Sequence, residues 1–203
     1  MKFAVDNDAN VAALGERWKG AGENCAAITL GTGVGGGIIY NGHLINGAHF
    51  QAGELSFMKL DVVGHNFSNY AGMTASAVGM ISLINKKLGN QDEKDGLAAF
   101  RAINTKNSDA VAIFNEFCQK VASIIINIQA VVDLDTIAIG GGISAQPIVI
   151  QGINQAYDSE LNANELIKTT LTRPKIVEAK FKNDANLYGA LYNLLLQVNG
   201  EKL

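Results

Sequence analysis

The chain has 203 residues, 48% of them apolar and 17% charged, with a formal net charge of −3. That length suffices for one large domain or two small ones around a continuous core, and the balance excludes a disordered chain. The slight negative charge leaves no electrostatic footprint for nucleic acid or an anionic membrane, so neither is expected as a partner.

Met1 to Val5 reads as the end of a strand with no partner before it. Asp8 is a good helix N-cap, and ANVAALGERW behind it places apolar residues at helical spacing until Gly20 and Gly22 stop the helix. Ala26 to Leu30 predicts a short strand, and the glycine-dense GTGVGGG of Gly31 to Gly37 follows. Ile38 to Tyr40 and His43 to Ile45 flank Asn41-Gly42, a strong hairpin signal, so the glycines lie within a β-meander. Ala71 to Leu88 predicts one helix and Leu97 to Ile103 a shorter one behind Asp95. Ser108 to Val132 is a long helix, apolar nearly all round; core burial is expected, with a homodimer face as the alternative. Thr136 to Ile139 is a buried strand running into Gly140-Gly141-Gly142. A helix after Pro147, a strand over Lys175 to Ala179 and a final helix from Asp184 to about Gln197 complete the chain. Strands alternating with helices after a meander indicate an α/β fold.

The two cysteines, Cys25 and Cys118, stand far apart and read as reduced thiols. No secretory leader opens the chain and no uncharged apolar run is long enough to span a bilayer, so a soluble, cytoplasmic protein is expected.

Gly31, Gly33 and Gly36 satisfy GxGxxG, but a dinucleotide site needs a helix to start in the loop, and Ile38 to Gly42 is a strand and a turn. The lysine and Ser/Thr of a P-loop are also missing. Bare backbone can nonetheless turn successive N–H groups onto a phosphate, with the Thr32 hydroxyl as a further donor. Five glycines in seven residues exceed what one hairpin turn requires, which favours that reading. Asn7 and Asp8 sit where a strand hands over to a helix. Asp8 is either a plain cap or a general base beside a hydrogen-bonding asparagine. Glu54, in Ala52 to Glu54, is either a solvated loop residue or a ligand.

Taken in order, VDNDANVAALGERWKGAG, ITLGTGVGGGIIYNGHLINGAHFQAGELS, IAIGGGIS and DANLYGALYNLL resemble the ROK sugar kinases over nearly the whole chain. The resemblance implies an α/β domain of the actin-like ATPase (ribonuclease H-like) fold, a mixed sheet flanked by helices. It implies ATP-dependent phosphorylation of a hexose or hexose derivative, with Mg²⁺. Asp8 would be the base that takes the proton of the sugar hydroxyl, the 6-position in glucose-type members. A carboxylate needs no shifted pKa for this, because phosphoryl transfer depends on positioning and charge stabilisation. Asn7 and Glu54 would be sugar ligands. Gly31, Thr32, Gly33 and Gly35 would line the ATP phosphates. Gly140, Gly141 and Gly142 would let adenosine approach the backbone, or would serve a close strand-to-helix crossing.

The sequence departs from the family in three ways. Leu55-Ser56-Phe57 follows the AGE motif where many members have Gly-His and a cysteine-rich zinc-binding stretch; His65 stands alone, and no zinc or other protein-held metal is expected. Phe57 replaces a histidine and NFSNYAGMTASAV has no counterpart of a later sugar-binding glutamate, which leans towards a zinc-free branch accepting substituted sugars such as β-glucosides. Phe57 would stack on a sugar or its aglycone, or pack in the core. Lastly, the family's amino-terminal domain, whose aspartate-and-glycine phosphate loop helps hold Mg²⁺ and ATP, is expected to be absent. Residues 1–22 then read as its remnant and hinge, 23–183 as the large sugar kinase domain, and 184–203 as a terminal helix returning towards it. The chain alone is expected to be an incompetent kinase. A sugar-sensing ROK regulator and a non-catalytic oligomerisation fragment are the alternatives.

Overall fold

A computed structural model describes residues 7–181 and 184–199. The strand expected over Met1 to Val5 and the last residues of the 184–203 segment lie outside them. Helix α1 (Asp8–Trp18) leads into β1 (Cys25–Leu30), β2 (Val34–Tyr40) and the short β3 (His43–Leu44). After a loop with two 3₁₀ turns come α2 (Ala71–Thr74), α3 (Ala77–Leu88), α4 (Gly96–Asn104) and α5 (Ser108–Val132). The chain continues through β4 (Thr136–Gly140), α6 (Pro147–Ala163), α7 (Glu165–Thr170), β5 (Lys175–Glu178) and α8 (Ala185–Asn199).

The strands form one mixed sheet in the order β3-β2-β1-β4-β5, antiparallel on the meander side and parallel across β1, β4 and β5. Period-two alternation divides β1 between two cores. Ala26, Ile28 and Leu30 join the large core with Val121, Ile124 and Ile128 of α5, whereas Cys25 and Ala27 face Ala12, Ala13 and Leu14 of α1 and Ala185 of α8. Although α5 has the length and mean hydropathy of a bilayer-crossing helix, it packs on α3 and α6 with Phe114, Phe117 and Ile125 buried. Burial pushes the thiols of Cys25 and Cys118 up to about 12, which makes both inert at neutral pH.

Two boundaries differ from the sequence expectation. The helix expected over 71–88 breaks at Ala75, because Ser76 accepts a hydrogen bond from the Gly79 amide (3.0 Å) and caps a new helix. The cap of α1 is Asn7, not Asp8: the extended backbone of Asn7 (φ −66°, ψ 144°) makes it the capping residue, and Asp8 is the first helical one. The Ala9 amide donates to both Asn7 Oδ1 (3.0 Å) and Asp8 Oδ1 (2.8 Å).

Candidate active site

The carboxyl ends of the parallel strands β1 and β4 open into a hollow, the place where open α/β sheets bind ligands. Its volume is about 370 Å³, and its walls include Asn7, Asp8, Thr29, Gly31, Thr32, Gly33, Gly53, Glu54, Ser56, Gly141 and Gly142. The N-terminus of α1 presents Asp8 at the positive end of the helix dipole. Asn7 links that terminus to the AGE turn, since its Nδ2 donates to Glu54 Oε1 (3.2 Å) while its Oδ1 caps the helix. Asp8, Asn7 and Glu54 are exposed to solvent.

Glu54 is placed by a backbone contact that the sequence does not announce. Gly53 has a φ of +86° and lies directly against the Gly36 carbonyl, with room for no side chain on either glycine. Gly36 and Gly37 therefore serve packing rather than a turn. None of Gly31, Gly33, Gly35, Gly36 and Gly37 is among the positive-φ glycines, so no left-handed backbone accounts for the run. Gly36 admits Leu55 and Gly53, and Gly37 admits the backbone of α1 at Ala9 and Asn10.

Ahead of β2 the chain makes a tight turn in which the Gly31 amide donates to the Gly33 carbonyl (3.1 Å). Two serines brace that turn, and sequence reasoning missed both. Ser56 Oγ accepts from the Val34 amide (3.0 Å) and donates to the Val34 carbonyl (3.1 Å), while Ser76 Oγ donates to the Gly31 carbonyl (3.4 Å). Gly31 and Gly142 have open space where a side chain would stand, but Gly141, at φ +98°, is pressed on the Leu30 backbone. The second glycine run thus serves a close crossing at Gly141 and an open wall at Gly142.

Two expected ligands fall outside this hollow. Gly140 lines a neighbouring one of about 230 Å³ with Asp8, Ala12, Glu16 and Asn186. Phe57 lines another, beyond Glu54, and is 63% exposed, which removes core packing as its role. Buried Glu16 accepts from the amides of Lys180 (2.8 Å) and Phe181 (3.4 Å). Burial raises its pKa, and the two amides and the Lys180 charge only partly oppose that. Among the described residues, no three His, Cys, Asp or Glu side chains gather as a metal site.

A model of the ROK family matches residues 1–197. The chain belongs to the ROK family. It is 29% identical over 208 aligned residues to a beta-glucoside kinase of Listeria monocytogenes, an alignment covering 98% of this chain and 67% of that protein. A ROK family protein of Streptococcus pneumoniae solved with sucrose superposes with a TM-score of 0.86 at 31% identity, covering 96% of this chain and 66% of its own. A ROK family glucokinase of Streptomyces griseus solved with glucose and AMPPNP gives 0.79 at 25%, covering 92% and 66%. The chain thus spans about two thirds of the length of these ROK relatives, and its five-stranded mixed sheet has the actin-like ATPase fold that the resemblance implied.

Proposed function

We propose that this chain forms the sugar- and phosphate-facing wall of a cytoplasmic kinase that transfers the γ-phosphoryl group of ATP to a hydroxyl of a hexose or hexose derivative, the 6-hydroxyl in glucose-type substrates. The observation that carries this reading is the placement of the Asp8 carboxylate, the Asn7–Glu54 pair and the Gly31–Gly33 turn in the walls of one hollow.

Asp8 accepts the proton of the attacking hydroxyl. Asn7 offers a donor and an acceptor, and Glu54 accepts from ring hydroxyls, so the pair fixes the sugar with one oxygen towards Asp8. The Thr32 hydroxyl and the bare turn around it face the triphosphate. An adjoining hollow of about 480 Å³ shares Leu30, Gly31 and Gly142 with the first, and Val78, Ile81, Leu97 and Phe100 give it apolar walls suited to a nucleobase. Mg²⁺ brought with the nucleotide would supply neutralisation of the phosphate charge. Among the described residues, no three His, Cys, Asp or Glu side chains gather to hold it.

A sugar-sensing regulator needs the sugar pocket but has no use for a base or a phosphate turn. Finding Asp8 and the turn on one hollow favours the kinase.

Asp8→Ala tests the reading, because Asn7 caps α1 and still accepts from the Ala9 amide that Asp8 shares. Turnover with Mg²⁺-ATP should fall about 10²–10⁴-fold while calorimetric sugar affinity stays within roughly threefold. Equal losses in rate and affinity would assign Asp8 to structure. Sugar binding in a protein that takes up no ATP or AMPPNP would point to the regulator.

A further inference from the structure

We propose that Asn85, buried on α3, is a positioning residue for the nucleotide: through the backbone of Glu93 and Asp95 it fixes the loop that walls the hollow assigned to the nucleobase. This rests on the nucleotide placement proposed above and deepens it.

Helix α3 joins two parts of that placement. At its start, Ser76 Oγ and the Val78 amide both donate to the Gly31 carbonyl (3.4 and 3.2 Å), which ties the phosphate turn to the helix. Towards its end, Asn85 Nδ2 donates to the carbonyls of Glu93 (3.1 Å) and Asp95 (2.9 Å), and its Oδ1 accepts from Asn90 Nδ2 (2.8 Å). Asn85 is 0% exposed, beside the buried and apolar Ile81 and Ile84. Burying an amide costs free energy unless its groups are paired, and each of these partners lies in residues 90–95. The side chain is committed to the loop.

The loop has little else to hold it. It leaves α3 through Gly89, whose backbone is left-handed (φ 71°), and residues 89–94 are exposed with no apolar side chain among them. A second latch comes from the same helix: the Glu93 carboxylate accepts from Ser82 Oγ (3.1 Å) and pairs with Lys86 (3.2 Å). That ammonium holds the Glu93 carboxyl below the usual carboxylate range. With Glu93 drawn onto α3, its neighbours Asp92, Lys94 and Asp95 line the hollow. Asp92 Oδ1 accepts from the Lys94 amide (2.8 Å) and Asp95 Oδ1 from the Ala98 amide (2.9 Å), so both carboxylates shape the local backbone. Lys94 enters no salt bridge among the described residues. Its ammonium is the donor this wall offers to an acceptor atom of the base or ribose.

The test is calorimetry with AMPPNP and with inorganic tripolyphosphate, each with Mg²⁺, on the whole chain and its variants. Tripolyphosphate reads the phosphate turn alone, so the extra affinity of AMPPNP reads the wall. Asn85→Ala should weaken AMPPNP about tenfold, the size of one lost hydrogen bond from a charged donor, and leave tripolyphosphate within about twofold. Lys94→Ala should weaken AMPPNP by a similar factor. Adding it to Asn85→Ala should cost less than about twofold more, because the two residues act through one wall. Glu93→Ala loosens the same loop from its exposed side without risk to the core, and should weaken AMPPNP about threefold with tripolyphosphate unchanged. That variant decides the matter if Asn85→Ala does not fold. Equal weakening of both ligands, or independent losses from Asn85→Ala and Lys94→Ala, would assign Asn85 to folding alone and overturn the proposal. If AMPPNP binds more tightly than tripolyphosphate and both loop variants keep that advantage, this inference alone fails. If the parent chain shows no such advantage, the nucleobase placement fails with it.

Discussion

The two glycine runs, Gly31 to Gly37 and Gly140 to Gly142, look alike as sequence and divide the same two tasks differently. In the first, Gly36 and Gly37 lie inside β2 and let the AGE turn and α1 pack against bare backbone, while Gly31 faces open space. In the second, Gly141 adopts a left-handed backbone pressed on Leu30, and its neighbour Gly142 faces open space. Each run therefore holds glycines that the fold requires and one that leaves a wall of the hollow bare. Glycine density is one signal with two physical causes, and only the tertiary partner of each position separates them.

Adjacent substitutions can break that contrast. Gly141→Ala combines a positive φ with a backbone overlap, each costing an alanine about 1–2 kcal/mol or more, so a loss near 3 kcal/mol is expected. In thermal unfolding that corresponds to a drop of about 6–12 °C. Gly142→Ala should unfold within about 0.5 kcal/mol of the parent, because nothing stands where its methyl would go, yet bind AMPPNP more weakly if the nucleotide approaches there. Similar melting of the two variants would erase the distinction.

Within the first run, Gly36→Ala is the second-largest expected effect, about 2 kcal/mol, since its methyl would overlap Leu55 and the Gly53 carbonyl. It should also weaken sugar binding, because Gly53 carries Glu54 next to it. Gly31→Ala should do neither. A Gly36→Ala chain that loses stability but keeps its sugar affinity would show that Glu54 is not positioned through this contact.

Much of this was legible beforehand. The short apolar strand at Ala26 to Leu30, the hairpin at Asn41-Gly42, the apolar length of α5 and the Asp95 cap of α4 are local signals, and they appear where the sequence puts them. The company of Asp8, Glu54 and Thr32 in one hollow is what the resemblance to the ROK kinases implied, not a local signal. What stayed illegible depends on distant partners. Asn7 and Asp8 are equally good caps by residue type, and only the backbone angle at Asn7 decides between them. Ser76 caps a helix in the middle of an unbroken apolar pattern. Gly53 and Ser56 matter because β2 passes beside them, a fact no window around residue 54 contains.

Ser56 sharpens the comparison further, because it braces the open half of the first run rather than its packed half. Its hydroxyl holds both the amide and the carbonyl of Val34, so Ser56→Ala leaves two backbone groups to find other partners at about 1–2 kcal/mol. The loss should appear in phosphate-dependent binding of AMPPNP more than in sugar affinity. Equal losses for both ligands would mean the hydroxyl supports the whole hollow.

The same division between groups held by the fold and groups facing the hollow recurs among the carboxylates of α1. Asp8 is exposed at the helix start, whereas Glu16, two turns on, is 2% exposed and accepts two amides on one oxygen. Burial raises the Glu16 pKa above the ordinary 4.5, so between that value and its folded-state value the folded chain holds the extra proton. Stability then falls as pH rises through this window, and the charged form is a net cost at neutral pH. Glu16→Gln removes the charge and keeps a carbonyl oxygen for the Lys180 and Phe181 amides. Its chain should be more stable than the parent at pH 7, by less than about 1 kcal/mol in chemical denaturation, and indistinguishable from it below pH 4. A Glu16→Gln chain less stable at pH 7 would show that the attraction of Lys180 outweighs burial, and that both carboxylates of this helix are wanted in their charged form.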